Sequence, residues 1–284
     1  MPNVDQFESL FKAASKATYR YERRSFQKIA VVTDRDQAEA GVICERVRRF
    51  LAVLGDEPRW LEVSGEESST VEQLLALVDR ERPDILVTYR NLHSTAWQWP
   101  HSLGRHLDVL TQATSCPVLV IAHPNDEEAF ERSMNHTRVV MAATDHLAGD
   151  GSLVNHAVSL VEPGGTLVLA HIEDDGTFEH YMNAIPKIPS IDTDNARAAI
   201  LRQLLKEPHD YVGACREELA KHGVDVRVEE VVRTGHRLRE YQQLIDEHSV
   251  ALLVIHTKDE DQLAMHGLAY PLAVELRHTP LLMI

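Results

Sequence analysis

Apolar residues along this chain gather into short runs: KIAVVT at 28–33, DILVTY at 84–89, PVLVI at 117–121, RVVMAA at 138–143, TLVLAH at 166–171, VALLVI at 250–255 and PLLMI at 280–284. Within each run apolar side chains fall on both faces rather than alternating with polar ones, which is the pattern of parallel strands covered on both sides. Two weaker strands are expected at 59–63 and 225–232. Between the runs the period changes to that of amphipathic helices, at about 36–54, 70–80, 152–160, 211–222 and 238–248, with one more before each Pro-led strand. Residues 5–24, with Phe7, Leu10, Phe11 and Ala14 at helical spacing, predict a helical cap. Residues 123–137 are polar and acidic and read as a linker.

The alternation runs twice. Thr33-Asp34 closes the first strand of one half and Thr144-Asp145 that of the other. Gly104 precedes Pro117 by thirteen residues and Gly267 precedes Pro280 by thirteen, each pair bracketing a helix and a terminal apolar strand. Parallel neighbours need helical crossovers, so the expected fold class is α/β, with two doubly wound, Rossmann-like parallel sheets in tandem. The expected division is a cap over 1–26, a first domain over 27–122 with four strands, the linker 123–137, and a second domain over 138–284 with five. The two Pro-led terminal strands should meet about a pseudo-twofold axis, as a dimer within one chain. A stretch at 173–208 breaks the rhythm; Phe178, Tyr181, Met182, Ile185, Ile188 and Ile191, interrupted by Pro186 and Pro189, make it too apolar for a solvated loop. It is expected to fold back over the second half as a wall; the alternative is that its side chains only complete the core or the contact between the halves.

Charge and composition narrow the functions. The formal net charge of −15 repels phosphate backbones and no basic run offsets it, which speaks against nucleic acid. No apolar stretch reaches the roughly 18 residues of a membrane span, and the first residues lack a secretion signal's apolar core, so a cytoplasmic location is expected. Cys44, Cys116 and Cys215 are odd in number and far apart, as reduced structural thiols are.

With these motifs the chain resembles the tandem universal stress proteins, over about 27–121 and 138–284. Each half has a first strand ending in Asp, a penultimate apolar strand, a polar loop, a Gly, a helix and a closing Pro-led strand, and 232–255 is similar to the stretch joining the family's third and fourth strands. The resemblance implies the nucleotide-binding α-hydrolase type of fold, a stress-response or regulatory role, and ATP or another adenine nucleotide as the ligand. It assigns Asp34 and Asp145 to adenine or ribose contact; the alternative for each is to cap the following helix. Gly104 and Gly267 stand where the family's phosphate-loop glycine stands, and Thr257 lies in the second loop. That loop normally supplies glycines whose backbone N–H groups wrap phosphates. Here Asn91 and Ser94 fall at the two loop glycines and Arg105 at the hydroxyl, and in the second half Asp259, Glu260 and Asp261 add negative charge. The expectation is a binding module with weak or no ATP binding and no catalytic residues; the alternatives are slow ATP hydrolysis in the second half, or an apolar or amphipathic small ligand.

Other chemistry finds less support. Sixteen histidines, with His93, His101 and His106 around one loop and His256, His266 and His278 around the other, raise a metal site. No H-x-x-x-H or H-E-x-x-H pair exists and no cysteines support them, so no metal is assigned. Neither G-x-S-x-G nor a G-x-x-x-x-G-K-[ST] loop occurs. Trp97, Trp99 and Pro100 are expected to pack over the first crevice, with stacking on a ligand as the alternative. A homodimer of the whole chain remains open.

Overall fold

The computed structural model describes residues 18–99, 102–143, 151–184, 193–257 and 269–284. In chain order the elements are β1 (Lys28–Val32), α1 (Gln37–Phe50), β2 (Arg59–Val63), α2 (Val71–Glu81), β3 (Ile85–Tyr89), α3 (Arg105–Ala113), β4 (Val118–Ile121), α4 (Glu127–Ser133), β5 (Val139–Ala143), α5 (Gly151–Ser159), β6 (Gly165–Asp174), α6 (Asp175–Ala184), α7 (Thr193–Lys221), β7 (Val226–Gly235), α8 (Arg237–Glu247), β8 (Leu252–Ile255), α9 (Ala269–Glu275) and β9 (Leu281–Met283).

All nine strands form one sheet in the order β2-β1-β3-β4-β9-β8-β5-β6-β7. Every pairing is parallel except β4 with β9, which is antiparallel. The apolar runs form the buried core: every position of β3, β4, β8 and β9 is buried. The closing strands do meet. Leu119 stands opposite Leu282, flanked by Val118↔Met283 and Val120↔Leu281. Leu119 and Leu282 each lie two residues after the Pro that opens their strand, so equivalent positions of the repeat face each other, as a twofold axis between them requires. The same backbone bond recurs on either side, Leu86 N–H to the Pro117 carbonyl at 2.9 Å and Leu253 N–H to the Pro280 carbonyl at 3.0 Å.

Local sequence explains the helix starts. Asp36 caps α1 by accepting from Glu39 N–H, and Thr70 with Gln73 forms a reciprocal capping box on α2. Three expectations change. Residues 18–27 are not helical but run as a strap along α5, where Tyr19 Oη donates to Asn155 Oδ1 at 2.6 Å, Asn155 Nδ2 donates to the Arg20 carbonyl at 3.2 Å and Arg24 N–H donates to Ser159 Oγ at 3.2 Å. The rest of the predicted cap lies outside the described residues. The linker contains α4, capped by Asp126 and anchored through buried Ala129, Phe130 and Met134. The helix expected from 211 begins at Thr193 and passes through Pro208. In the stretch before it, Phe178 and Met182 of α6 are buried, which fits both the fold-back wall and simple completion of the core, while Ile185, Pro186, Ile188, Pro189 and Ile191 lie outside the described residues.

Candidate functional site

In the first half the connections reverse direction between β1, which leads to β2 on one side, and β3 on the other. The carboxyl ends of such strands frame the crevice where open α/β sheets hold ligands. Asp34 sits there, two residues beyond β1, with its side chain 18% exposed. Because Asp36 makes the helix cap, Asp34 is left to the crevice. Its surroundings are crowded. Tyr89, the last residue of β3, donates its hydroxyl to Asp34 Oδ1 and accepts Asp34 N–H at 2.9 Å. His93 N–H reaches Asp34 Oδ2 at 3.2 Å and Arg35 Nε stands 3.5 Å from Oδ1. Behind the backbone of Asp34, Gly65 leaves no room for a side chain, since a Cβ there would lie 2.8 Å from the Asp34 carbonyl. Burial, with the Asp34 carboxylate adding to it, pushes the Tyr89 phenol well above its ordinary value, so the hydroxyl stays protonated as a donor.

The loop after β3 folds onto this cluster. Asn91 and His93 both take left-handed backbone, with φ of 55° and 59°. These are the positions where glycine would be at ease, so the second glycine-like position is His93 and not Ser94, which instead caps a short 3₁₀ turn at Thr95–Gln98. Gly104, with φ of 89°, opens α3; a Cβ there would lie 2.7 Å from Asn91 Cα. Its role is therefore close backbone packing against the loop. Trp97 stacks on His123, centroids 4.8 Å apart and planes 15° apart, and His123 meets the Tyr89 ring edge-on at 4.7 Å. Trp97 thus packs over the crevice as expected, whereas Trp99 is 56% exposed and Pro100 lies outside the described residues. Burial lowers the His123 pKa to about 4, leaving the ring neutral. His106, ring to ring with His93 at 5.1 Å, is also lowered, by burial first and by His93 second. Among the described residues no group of three or more His, Cys, Asp or Glu side chains is placed to hold a metal.

The second half supplies part of this wall. Because β9 runs against β4, the segment entering β9 arrives at the carboxyl end of β4. Arg277 donates to the Trp97 carbonyl at 2.6 Å, and Arg90, at the end of β3, donates to the Leu276 carbonyl just beyond α9. A guanidinium at the C-terminal end of a helix meets its exposed carbonyls. Burial, and then Arg277, lower the Arg90 pKa to about 9. In the second half's own crevice, Thr257 is buried, with both its N–H, at 3.0 Å, and its hydroxyl, at 3.1 Å, donated to the Ile284 carbonyl. Asp145 and Gly267 lie outside the described residues. The structure thus brings Asp34 and Gly104 to one loop and places Thr257 in the other half.

A functionally unknown protein from Pseudomonas aeruginosa PAO1 is similar in structure, with 13% identity and a TM-score of 0.50 over 92% of both chains. A candidate universal stress protein from Pseudomonas aeruginosa UCBPP-PA14 matches with 14% identity and a TM-score of 0.51 over 92% of this chain and 93% of that one. The chain has the fold of a tandem universal stress protein. No family profile matches the sequence, and no curated protein does. Within this universal-stress-type fold, the sequence reading assigned no crevice role to Tyr89, His123 and Arg277, and raised His93 only as a candidate metal ligand. Tyr89 ends β3, and His93 and His123 lie in the loops that leave β3 and β4 at the carboxyl edge, which is the signal that could have found them; Arg277 is visible only once β4 and β9 are known to be antiparallel.

Proposed function

We propose that the protein is a stress-response or regulatory binding module of the universal-stress type, working in the cytoplasm, whose first half does not hold ATP in the family's usual way. The observation that carries this reading is the state of Asp34. Its carboxylate already accepts from Tyr89 and His93 and pairs with Arg35, so an adenosine hydroxyl would have to displace donors held by a buried ring and a folded loop. Side chains at Asn91 and His93 further take the space in which glycine lets phosphate approach backbone N–H groups. Calorimetry with ATP and magnesium tests this: dissociation weaker than micromolar is expected, unchanged by Asp34→Asn. Micromolar or tighter binding that Asp34→Asn abolishes would overturn it.

A second reading is a small apolar or amphipathic ligand in the second half. It is favoured by Phe178 and Met182, both buried on α6 directly after β6, on the carboxyl side of the sheet. Mass spectrometry of small molecules released from purified protein separates the two: an adenine nucleotide supports neither, and an apolar metabolite supports the second.

A further inference from the structure

We propose that the N-terminal segment of the chain, residues 5–17, docks on the open apolar face of the first half of α7. That helix carries one apolar stripe at helical spacing, through Leu201, Leu204, Leu205, Val212, Cys215 and Leu219. The later members of the stripe, Val212, Cys215 and Leu219, are buried where α7 lies on β6 and β7. The earlier ones are not. Leu201 and Leu205 are half-buried, as is Ile200 beside them, and Leu204 is 36% exposed. A stripe that is covered along half a helix and open along the other half marks a surface with room for a partner.

The path of the strap says what that partner is. Tyr19 meets Tyr211 edge-on, ring centroids 6.2 Å apart, and Tyr21 meets His222 at 5.4 Å, so the strap advances along α7 toward the end of that helix. On α5 it runs the same way, from Asn155 at Tyr19 to Ser159 at Arg24. Followed backwards, the chain therefore leaves Tyr19 toward the start of both helices. At 3.6 residues per turn Ile200 and Leu204 share the side of α7 that bears Tyr211 and His222, and they are next along this path. The eleven residues from Ile200 to Tyr211 span about 16 Å, and a helix over 5–17 spans about 20 Å, so a segment ending beside Tyr19 reaches the open patch and overlies it. Phe7, Leu10, Phe11 and Ala14 give that segment one apolar face of matching length. Thr18 alone separates it from Tyr19, and so short a tether favours it over a second copy of the chain. Because the strap continues into β1, the docked segment makes the start of the chain a clasp from the first half onto the second, separate from the joint between β4 and β9. It stands where α7 begins, on the carboxyl side of the sheet, beside the second half's crevice.

Cysteine pairing in the full chain tests the contact. At least one of Phe7→Cys, Leu10→Cys and Ala14→Cys, each combined with Leu204→Cys, should close an intramolecular disulfide at least about tenfold faster than the same variant combined with Val42→Cys, a site 70% exposed on α1. Hydrogen exchange supplies a second readout. In Leu10→Glu/Phe11→Glu the amides of 197–207 should lose protection by at least about tenfold, while those of β5 and β8 keep theirs and show that the variant folds. A disulfide that joins two chains assigns the face to a second copy and overturns the proposal. Equal closure rates with Leu204→Cys and Val42→Cys, or unchanged exchange at 197–207, overturn it as well.

Discussion

Tyr89→Phe isolates one oxygen atom at the centre of the first crevice. The ring is fully buried, and phenylalanine keeps its volume and its edge-on contact with His123, so no cavity term enters. Two hydrogen bonds disappear: the hydroxyl no longer donates to Asp34 Oδ1, and Asp34 N–H loses its acceptor at 2.9 Å. A bond to a charged group contributes about 1.5–3 kcal/mol and a stranded buried N–H costs about 1–3 kcal/mol. The two share one oxygen and are not additive, and the Asp34 side chain keeps 18% exposure, so the loss should be about 2–3 kcal/mol. Urea unfolding followed by tryptophan fluorescence reads it as a shift in midpoint at constant slope. In a cycle with Asp34→Ala the coupling should reach at least about 1 kcal/mol. A loss below about 0.5 kcal/mol, or coupling indistinguishable from zero, would refute the idea that Asp34 is committed to Tyr89.

His123 has a folded pKa of about 4 against about 6.5 unfolded, so its contribution is complete above pH 6.5 and is lost as pH falls toward 4. Stability should drop by about 2 kcal/mol between pH 7.5 and pH 5 on this account, and His123→Phe should remove that part of the acid dependence; an identical pH profile in the variant contradicts it. Gly104→Ala forces a left-handed alanine against the Asn91 backbone and should cost at least about 2 kcal/mol in urea unfolding, with a neutral result excluding the observed packing. Leu119→Ala and Leu282→Ala remove equivalent side chains at the seam, so each should cost about 2–5 kcal/mol and the two costs should agree within about 1 kcal/mol; a one-sided loss speaks against the twofold relation.

The strands were legible because a parallel strand buried on both faces writes itself as an uninterrupted apolar run, and the repeat was legible by counting from Gly to Pro. Length was less so: β6 extends to Asp174 and β7 to Gly235 because the hydrogen-bonded ladder continues beyond the apolar core, past Arg233 and Glu173, where composition gives no sign. Helix α4 is short and its apolar residues few, so charge hid it. The strap at 18–27 overlaps the stretch 5–24 whose earlier residues carry helical spacing, yet Asn155, more than a hundred residues away, holds it in another conformation. Asp34 was found because carboxylates after central strands are chemically conspicuous. Tyr89 was not, because a tyrosine ending a buried run looks like core until its hydroxyl is seen against that carboxylate.

The antiparallel joint between β4 and β9 also bears on assembly. Two separate copies of such a half would present four free sheet edges, whereas among the described residues the outer edges of β2 and β7 alone remain unpaired, and the edges nearest the axis satisfy each other. Covalent linkage sets the local concentration of one edge around the other in the millimolar range for short tethers, independent of how much protein the cell holds. A homodimer of the whole chain would consequently have to be built on the flanks or on helix faces, and diluting the protein could separate such a dimer while leaving the internal pairing whole.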